Sequence, residues 1–215
     1  MKISFIAFYV LFYVISYGQK KDFGLWTSIT LEKKLMKSLE AYASTQIRFE
    51  NNVGHIGGYY YSMGTRYKIN NWINAIGEVR LNTNIEEDRW RLSLGVSAKK
   101  EFNKLNLSFR QLLQKDFSTW STNEYDKIEY QLRSRGEIEY KLKKKWFIAI
   151  SAEPYISIYT SPASLYRVRY MTGAKYFWKK SRIIELSFIY QTELSSSGYL
   201  EEEKFIPSIE YTHKF

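Results

Sequence analysis

Arg66, Arg80, Arg89, Arg91, Arg110, Arg133, Arg135, Arg167 and Arg169 fall on the polar side of alternating segments, interleaved with Glu78, Glu129, Glu137, Glu139, Glu153 and Glu185. A guanidinium offers a planar fork of donors that a carboxylate meets bidentately, so such a set can pair with itself or hold an anion. Self-pairing would fill a narrow interior with salt bridges, and breaking one buried pair costs about 3–5 kcal/mol. The surplus of arginine near 89–91, 133–135 and 167–169 points the other way, to a small anionic solute or an acidic ligand.

Little else in the chain could do chemistry. There is no cysteine, hence no thiolate nucleophile, disulfide framework or lipoprotein acylation site. Of the two histidines, His55 sits in the Gly-rich stretch 51–58 and His213 lies near the end of the chain, so they do not share a site. The acidic runs Glu86-Glu87-Asp88 and Glu201-Glu202-Glu203 lack the spacing of a calcium loop and suit charged loops that bridge lipopolysaccharide through divalent ions. Gly57-Gly58 and Gly64 lead into no helix and make no phosphate loop. No catalytic, metal or cofactor site is expected, and the chain is not expected to be an enzyme. A lipid- or lipopolysaccharide-modifying enzyme is the weakest reading, since it needs a hydroxyl, His or carboxylate cluster at the outer interface.

The elements that carry the charges are strands. From Leu39 to Phe49 the apolar and polar residues alternate strictly, and the same period of two recurs at Trp90–Ala98, Leu105–Phe109, Tyr130–Leu142 and Tyr166–Tyr176. The spacing predicts strands over 24–33, 38–50, 58–69, 72–82, 89–102, 105–115, 126–142, 146–158, 165–177, 181–193 and 205–215. Their connections alternate between tight turns (34–37, 70–71, 103–104, 143–145, 178–180) and longer loops (51–57, 83–88, 116–125, 159–164, 194–204). That is the pattern of a transmembrane, antiparallel, up-and-down β-barrel with short periplasmic turns and longer extracellular loops. Eleven segments are readable, whereas bacterial single-chain barrels normally hold an even number. We therefore expect about twelve strands, with ten as the other possibility, through a strand missed within 111–125 or residues 19–24 crossing the lumen.

A lipocalin-like soluble barrel shares the alternation with its faces reversed. Against it, Tyr67, Trp72, Phe102, Tyr140, Trp146, Tyr176, Trp178 and Phe215 all lie at the tight-turn ends of strands, where a membrane-interface girdle would put them. The ends agree. Residues 3–14 are apolar after Lys2 and are followed by Ser16-Tyr17-Gly18, so 1–18 reads as a signal peptide and 19–215 as one barrel domain. The chain closes on the alternating strand Phe205–Phe215, as outer-membrane barrels do.

The motifs Asp88-Arg-Trp-Arg-Leu-Ser-Leu94, Leu105-Asn-Leu-Ser-Phe-Arg110, Tyr130-Gln-Leu-Arg-Ser-Arg135, Ile150-Ser-Ala-Glu-Pro-Tyr155 and Tyr166-Arg-Val-Arg169, with Trp26 and the terminal Tyr-x-x-Lys-Phe, extend over nearly all of the mature chain. Together they resemble the small outer-membrane β-barrels of Bacteroidota catalogued as a domain of unknown function. The resemblance implies fold and place in the cell outer membrane and carries no activity. The net charge of +10 is spread among strands rather than gathered on one arm, which argues against nucleic acid. The expected partners are the outer membrane with its lipopolysaccharide and, during biogenesis, the barrel-assembly machinery, and a monomer is expected. The expected role is structural or envelope-binding, with a charged and largely plugged lumen; the alternative is a narrow, porin-like pore for small, preferentially anionic solutes.

Deleting Phe215 is expected to lower the yield of folded barrel in the outer membrane, read by the heat-dependent gel mobility of membrane fractions. Normal yield from the truncated chain would contradict this reading of the terminus.

Overall fold

Strict alternation of apolar and polar residues can be satisfied all round only if the sheet has no edge, and the chain meets that condition by closing on itself. The computed structural model describes residues 20–84, 88–118, 129–158, 163–195 and 198–215, and only the backbone of Lys20, Ser118 and Glu129. The signal peptide expected over 1–18 lies outside them. The elements are β1 (Lys20–Phe23), β2 (Leu25–Lys34), β3 (Leu39–Glu50), β4 (His55–Lys68), β5 (Ile73–Thr83), β6 (Asp88–Phe102), β7 (Leu105–Ser118), β8 (Glu129–Lys143), β9 (Trp146–Ser157), β10 (Ser164–Lys179), β11 (Arg182–Leu194) and β12 (Leu200–Lys214). Each strand from β2 to β12 pairs antiparallel with the next, and β12 returns to pair with β2.

The β12–β2 pairing is parallel, with Ser208 opposite Trp26 and Lys214 opposite Glu32. β1 pairs with β12 in the same direction, Phe23 opposite Phe205, and in the same register. β1 and β2 are thus one strand interrupted only at Gly24, and the closed ring has eleven strands. The expectation of an even count is overturned: the eleven segments legible in the sequence are the eleven strands, and a parallel seam closes them. Residues 20–23 run along the wall rather than across the lumen, so the chain enters the barrel at the same end as the longer loops. Gly24 lies close against β3, since a Cβ there would lie 2.8 Å from the Phe49 carbonyl oxygen.

Parallel pairing is slightly weaker per residue than antiparallel pairing, and side chains reinforce the seam. Lys214 Nζ lies 2.7 Å from Glu32 Oε2, the Thr30 hydroxyl donates to Glu210 Oε1 at 3.1 Å, and the Phe215 N–H donates to the Glu32 carbonyl at 2.9 Å.

The turns follow their residues. Asn103, in the two-residue β6–β7 turn, has φ 52°, the left-handed conformation that such hairpins require and asparagine tolerates. Asn70 Oδ1 accepts the Trp72 and Ile73 N–H groups at 2.8 and 2.9 Å and so caps the β4–β5 turn. The connection expected as a longer loop over 51–57 is tight, because β4 already starts at His55. Asn51, Asn52 and Val53 all have positive φ, an uncommon conformation for a β-branched residue such as Val53. The turn is held from outside: Val53 donates its N–H to the Phe23 carbonyl at 3.1 Å, and Asn52 donates its N–H to Asp22 Oδ1 at 3.0 Å.

Registers around the ring put Leu92, Leu94, Val96, Ile138, Ile150, Tyr170, Leu186 and Ile209 on the outside, where they are exposed. The polar residues between them point inward. Tyr166 departs from its expected outward place: a bulge between Leu165 and Arg167 turns it in, and its hydroxyl donates to Gln131 Oε1.

Two glycines on opposite faces test this register. Gly95 faces inward, and a Cβ there would lie 2.0 Å from the Gln111 carbonyl oxygen, whereas nothing lies within 4 Å of a Cβ on outward-facing Gly136. Gly95→Ala is expected to destabilise the folded barrel by about 1–3 kcal/mol, the usual cost of overpacking, with Gly136→Ala near neutral in urea titrations.

Candidate functional site

In the lumen the charged residues of many strands converge, and among the described residues Glu153 on β9 is its most buried acid at 1% exposed. Its carboxylate receives Arg133 Nε at 2.7 Å and Nη2 at 2.9 Å, Arg110 Nη2 at 3.0 Å and the Tyr155 hydroxyl at 3.0 Å. Neighbouring strands explain the convergence, since β8 brings Arg133 opposite Tyr155 and β7 brings Arg110 opposite Arg135. Two adjacent guanidiniums on one wall repel, and the carboxylate between them offsets that repulsion.

Most remaining charges pair in the same way. Arg91 forks onto Asp116 with both contacts at 2.5 Å, and Gln131 Nε2 donates to the same carboxylate at 3.2 Å. Arg80 meets Glu78 at 3.1 Å, and the Tyr42 hydroxyl donates to Glu78 at 2.8 Å. Arg167 meets Glu193 at 3.0 Å. Towards the tight-turn end Lys175 lies 3.2 Å from Glu139, 3.3 Å from Glu137 and 3.7 Å from Glu185, while Arg135 bonds Glu137. Arg66 bridges Glu32 and Glu40 there.

Across the middle runs a stack of rings and guanidiniums. Arg48 lies 3.8 Å from the centroid of Tyr60 and 3.9 Å from that of Trp26; Arg169 lies 4.9 Å from Trp26 and 4.9 Å from Tyr155, which Arg133 and Arg167 also approach at 5.1 and 5.6 Å. Ring faces are negative, so each such contact is worth about 0.5–2 kcal/mol. Trp26 packs from behind on Ile189, Ile206 and Met171, a small apolar core inside the barrel. Trp26, Arg48, Arg80 and Arg169 line both of two cavities of about 200 Å³ each, one towards the longer loops and one deeper in the lumen. The first is lined by Arg48, Arg80, Arg89, Arg91, Arg167, Arg169 and Lys204 against Asp22, Glu50 and Glu193, so its wall is basic.

The sequence-selected arginines at 66, 80, 89, 91, 110, 133, 135, 167 and 169 face the lumen by register, as do Glu78, Glu137, Glu139, Glu153 and Glu185. Arg89 is exposed at the mouth. For Glu129 the structure describes the backbone, which pairs with Asp116. Sequence reasoning did not select Arg48, Asp116, Glu193 or Lys175, although all four lie on inward-facing positions of their strands. What raises them above their neighbours is the pairing of distant strands, which alternation does not reveal. Tyr67, Trp72, Phe102, Trp146, Trp178 and Phe215 are exposed around the tight-turn end, with Tyr140 and Tyr176 beside them; Trp146 and Tyr176 touch across β9 and β10 with centroids 4.7 Å apart. His55 and His213 lie at opposite ends of the barrel, and Glu86 and Glu87 lie outside the described residues. Among the described residues no three His, Cys, Asp or Glu side chains converge to hold a metal.

Glu153→Ala would leave Arg133 and Arg110 without their shared acceptor. A loss of about 3–5 kcal/mol is expected in urea titrations, with Glu153→Gln losing less because it still accepts a hydrogen bond. A Glu153→Ala barrel as stable as the parent would contradict the hub.

No curated protein matches this chain in sequence. Among solved structures it is similar to a KdgM porin in complex with disordered oligogalacturonate, with a TM-score of 0.50 and 14% identity over 75% of this chain and 81% of that one. It is also similar to a NanC porin, with a TM-score of 0.54 and 10% identity over 84% of this chain and 92% of that one. At these identities the likeness is one of fold, and it makes the molecule a porin-like β-barrel. The family model described as "Protein of unknown function (DUF2490)" matches residues 23–201, and the chain belongs to that family.

Proposed function

We propose that this protein is an outer-membrane β-barrel that admits small anionic solutes through a narrow lumen with a basic mouth. The observation that carries the reading is the loop-end cavity, where Arg80, Arg91, Arg167 and Lys204 have carboxylate partners while Arg48 and Arg169 have none, which leaves the wall positive. In a low-dielectric channel such an imbalance concentrates anions and excludes cations. The exposed apolar outer wall and the Trp and Tyr residues at its tight-turn end support a lipid setting, with Lys100 lying 5.5 Å from the Trp72 ring and Arg182 lying 5.8 Å from that of Trp178, at the level of headgroups. The porin likeness supports a conduit. On this reading the longer loops face outward among lipopolysaccharide, the barrel-assembly machinery inserts the chain, and the barrel works as a monomer. The motif resemblance supports a Bacteroidota envelope as its setting.

The second reading, a plugged barrel with a structural or envelope-binding role, is favoured by the ring and guanidinium stack across the lumen. Eleven strands lie between the eight that side chains just fill and the sixteen or more of open porins. A pore in this barrel would therefore conduct weakly, and the presence of small steps with their ion preference separates it from a plug.

In planar bilayers under a potassium chloride gradient, the refolded barrel is expected to show small steps whose reversal potential indicates chloride preference, reduced by Lys204→Glu at the mouth. Cation preference would contradict the proposal, as would a large ohmic conductance. A complete absence of steps would favour the plug.

A further inference from the structure

Of the lumen arginines 48, 66, 80, 91, 110, 133, 135, 167 and 169, all but two have a carboxylate partner. Arg48 spends its Nε on Gln46 Oε1 at 2.7 Å, and Arg169 spends Nε on Gln191 Oε1 at 2.6 Å and Nη1 on the Tyr155 hydroxyl at 2.5 Å. Among the described residues no carboxylate lies within ion-pair range of either. Glu153 is the register neighbour of Arg169, but its oxygens are turned to Arg133 and Arg110. Both guanidiniums nevertheless lie within 5 Å of the Trp26 ring, from 3.9 and 4.9 Å. Two like charges held by one indole with only neutral acceptors form an incomplete arrangement, since a buried charge is stable when paired. The rings lie against both guanidiniums, and both residues line the loop-end cavity as well as the deeper one.

We infer that Arg48 and Arg169 form the recognition fork of a binding subsite for a small hydroxylated carboxylate, of the class of sugar acids and hydroxy acids, in the loop-end cavity. The inference rests on the anion-admitting reading and names its ligand class. A carboxylate supplies the planar, two-oxygen acceptor that guanidinium forks match. The hydroxyls follow from the rest of the wall: Asp22, Tyr60 and Asn82 offer acceptors and donors, with Trp26, Phe49 and Ile206 as the main apolar contributions. The cavity volume of about 200 Å³ holds roughly seven waters, at about 30 Å³ each, or one monosaccharide-sized ligand.

The test is calorimetric titration of the folded barrel in detergent micelles with glucuronate, acetate and glucose as probes. Saturable binding is expected for glucuronate, weaker binding for acetate, which has the carboxylate alone, and none for glucose. Arg48→Gln and Arg169→Gln are each expected to weaken glucuronate by about tenfold or more, with Arg182→Gln on the outer surface leaving it unchanged. Folding of each variant is checked by heat-dependent gel mobility. If either Gln variant does not fold, Arg48→Lys and Arg169→Lys keep the charge while losing the fork, and a several-fold loss is expected from them as well. Equal binding of glucose and glucuronate would overturn the subsite, as would full glucuronate affinity in folded variants at both positions. A chloride-selective barrel with no glucuronate binding overturns the subsite alone, and glucuronate binding in a non-conducting barrel keeps the subsite and overturns transport.

Discussion

The molecule depends on one pairing, the parallel seam between β12 and the continuous strand β1–β2. An odd number of strands that alternate up and down begins and ends in the same direction, so the first and last can close the ring only in parallel. Without that closure there would be two long edges of unpaired backbone groups, which a lipid surrounding does not tolerate. With it, each inward residue gains neighbours on both sides. The register of the seam also sets Trp26 beside Ser208, next to the small apolar core on Ile206 and Ile189.

Closure then forces a charge problem and organises its solution. Alternation sends the arginines and carboxylates of eleven strands into one narrow space, where unpaired charges are costly. Glu153 holds two arginines together, Lys175 gathers three carboxylates near the tight turns, and Arg91 and Asp116 fork together near the mouth. Pairing leaves a residual gradient, with positive charge accumulating at the loop end and around Trp26. The aromatic faces of Tyr60, Trp26 and Tyr155 stabilise the two guanidiniums that lack carboxylates. They also narrow the passage, so the groups that make the lumen basic are the ones that restrict it.

Strands and faces were legible because period two is a strong signal and the turns carry their own chemistry, as at Asn70 and Asn103. Observed strand ends fall within a few residues of those read from alternation for most elements, β4 and β12 starting earlier. The count of eleven was legible too; the even-number rule argued against it, because nothing in a linear pattern says whether first and last strands meet parallel or antiparallel. The inward turn of Tyr166 escaped detection because a bulge breaks the period locally. At the site, the inward placement of Arg133, Glu153 and Arg169 could be read from alternation. The identity of the unpaired arginines could not, since that depends on which strands become neighbours across the lumen, and Arg48 looked like one polar residue among many on β3.

The parallel seam is tested most directly by paired cysteines, since the chain has none of its own. Outward-facing Thr27 and Leu31 lie opposite Ile209 and His213 respectively. The account predicts rapid disulfide formation in the folded barrel for the double variants Thr27→Cys with Ile209→Cys and Leu31→Cys with His213→Cys, and none for the exchanged combinations, Thr27→Cys with His213→Cys and Leu31→Cys with Ile209→Cys. Cross-linking of the exchanged combinations instead would mean an antiparallel closure and would contradict the eleven-stranded barrel, together with the lumen arrangement that follows from it.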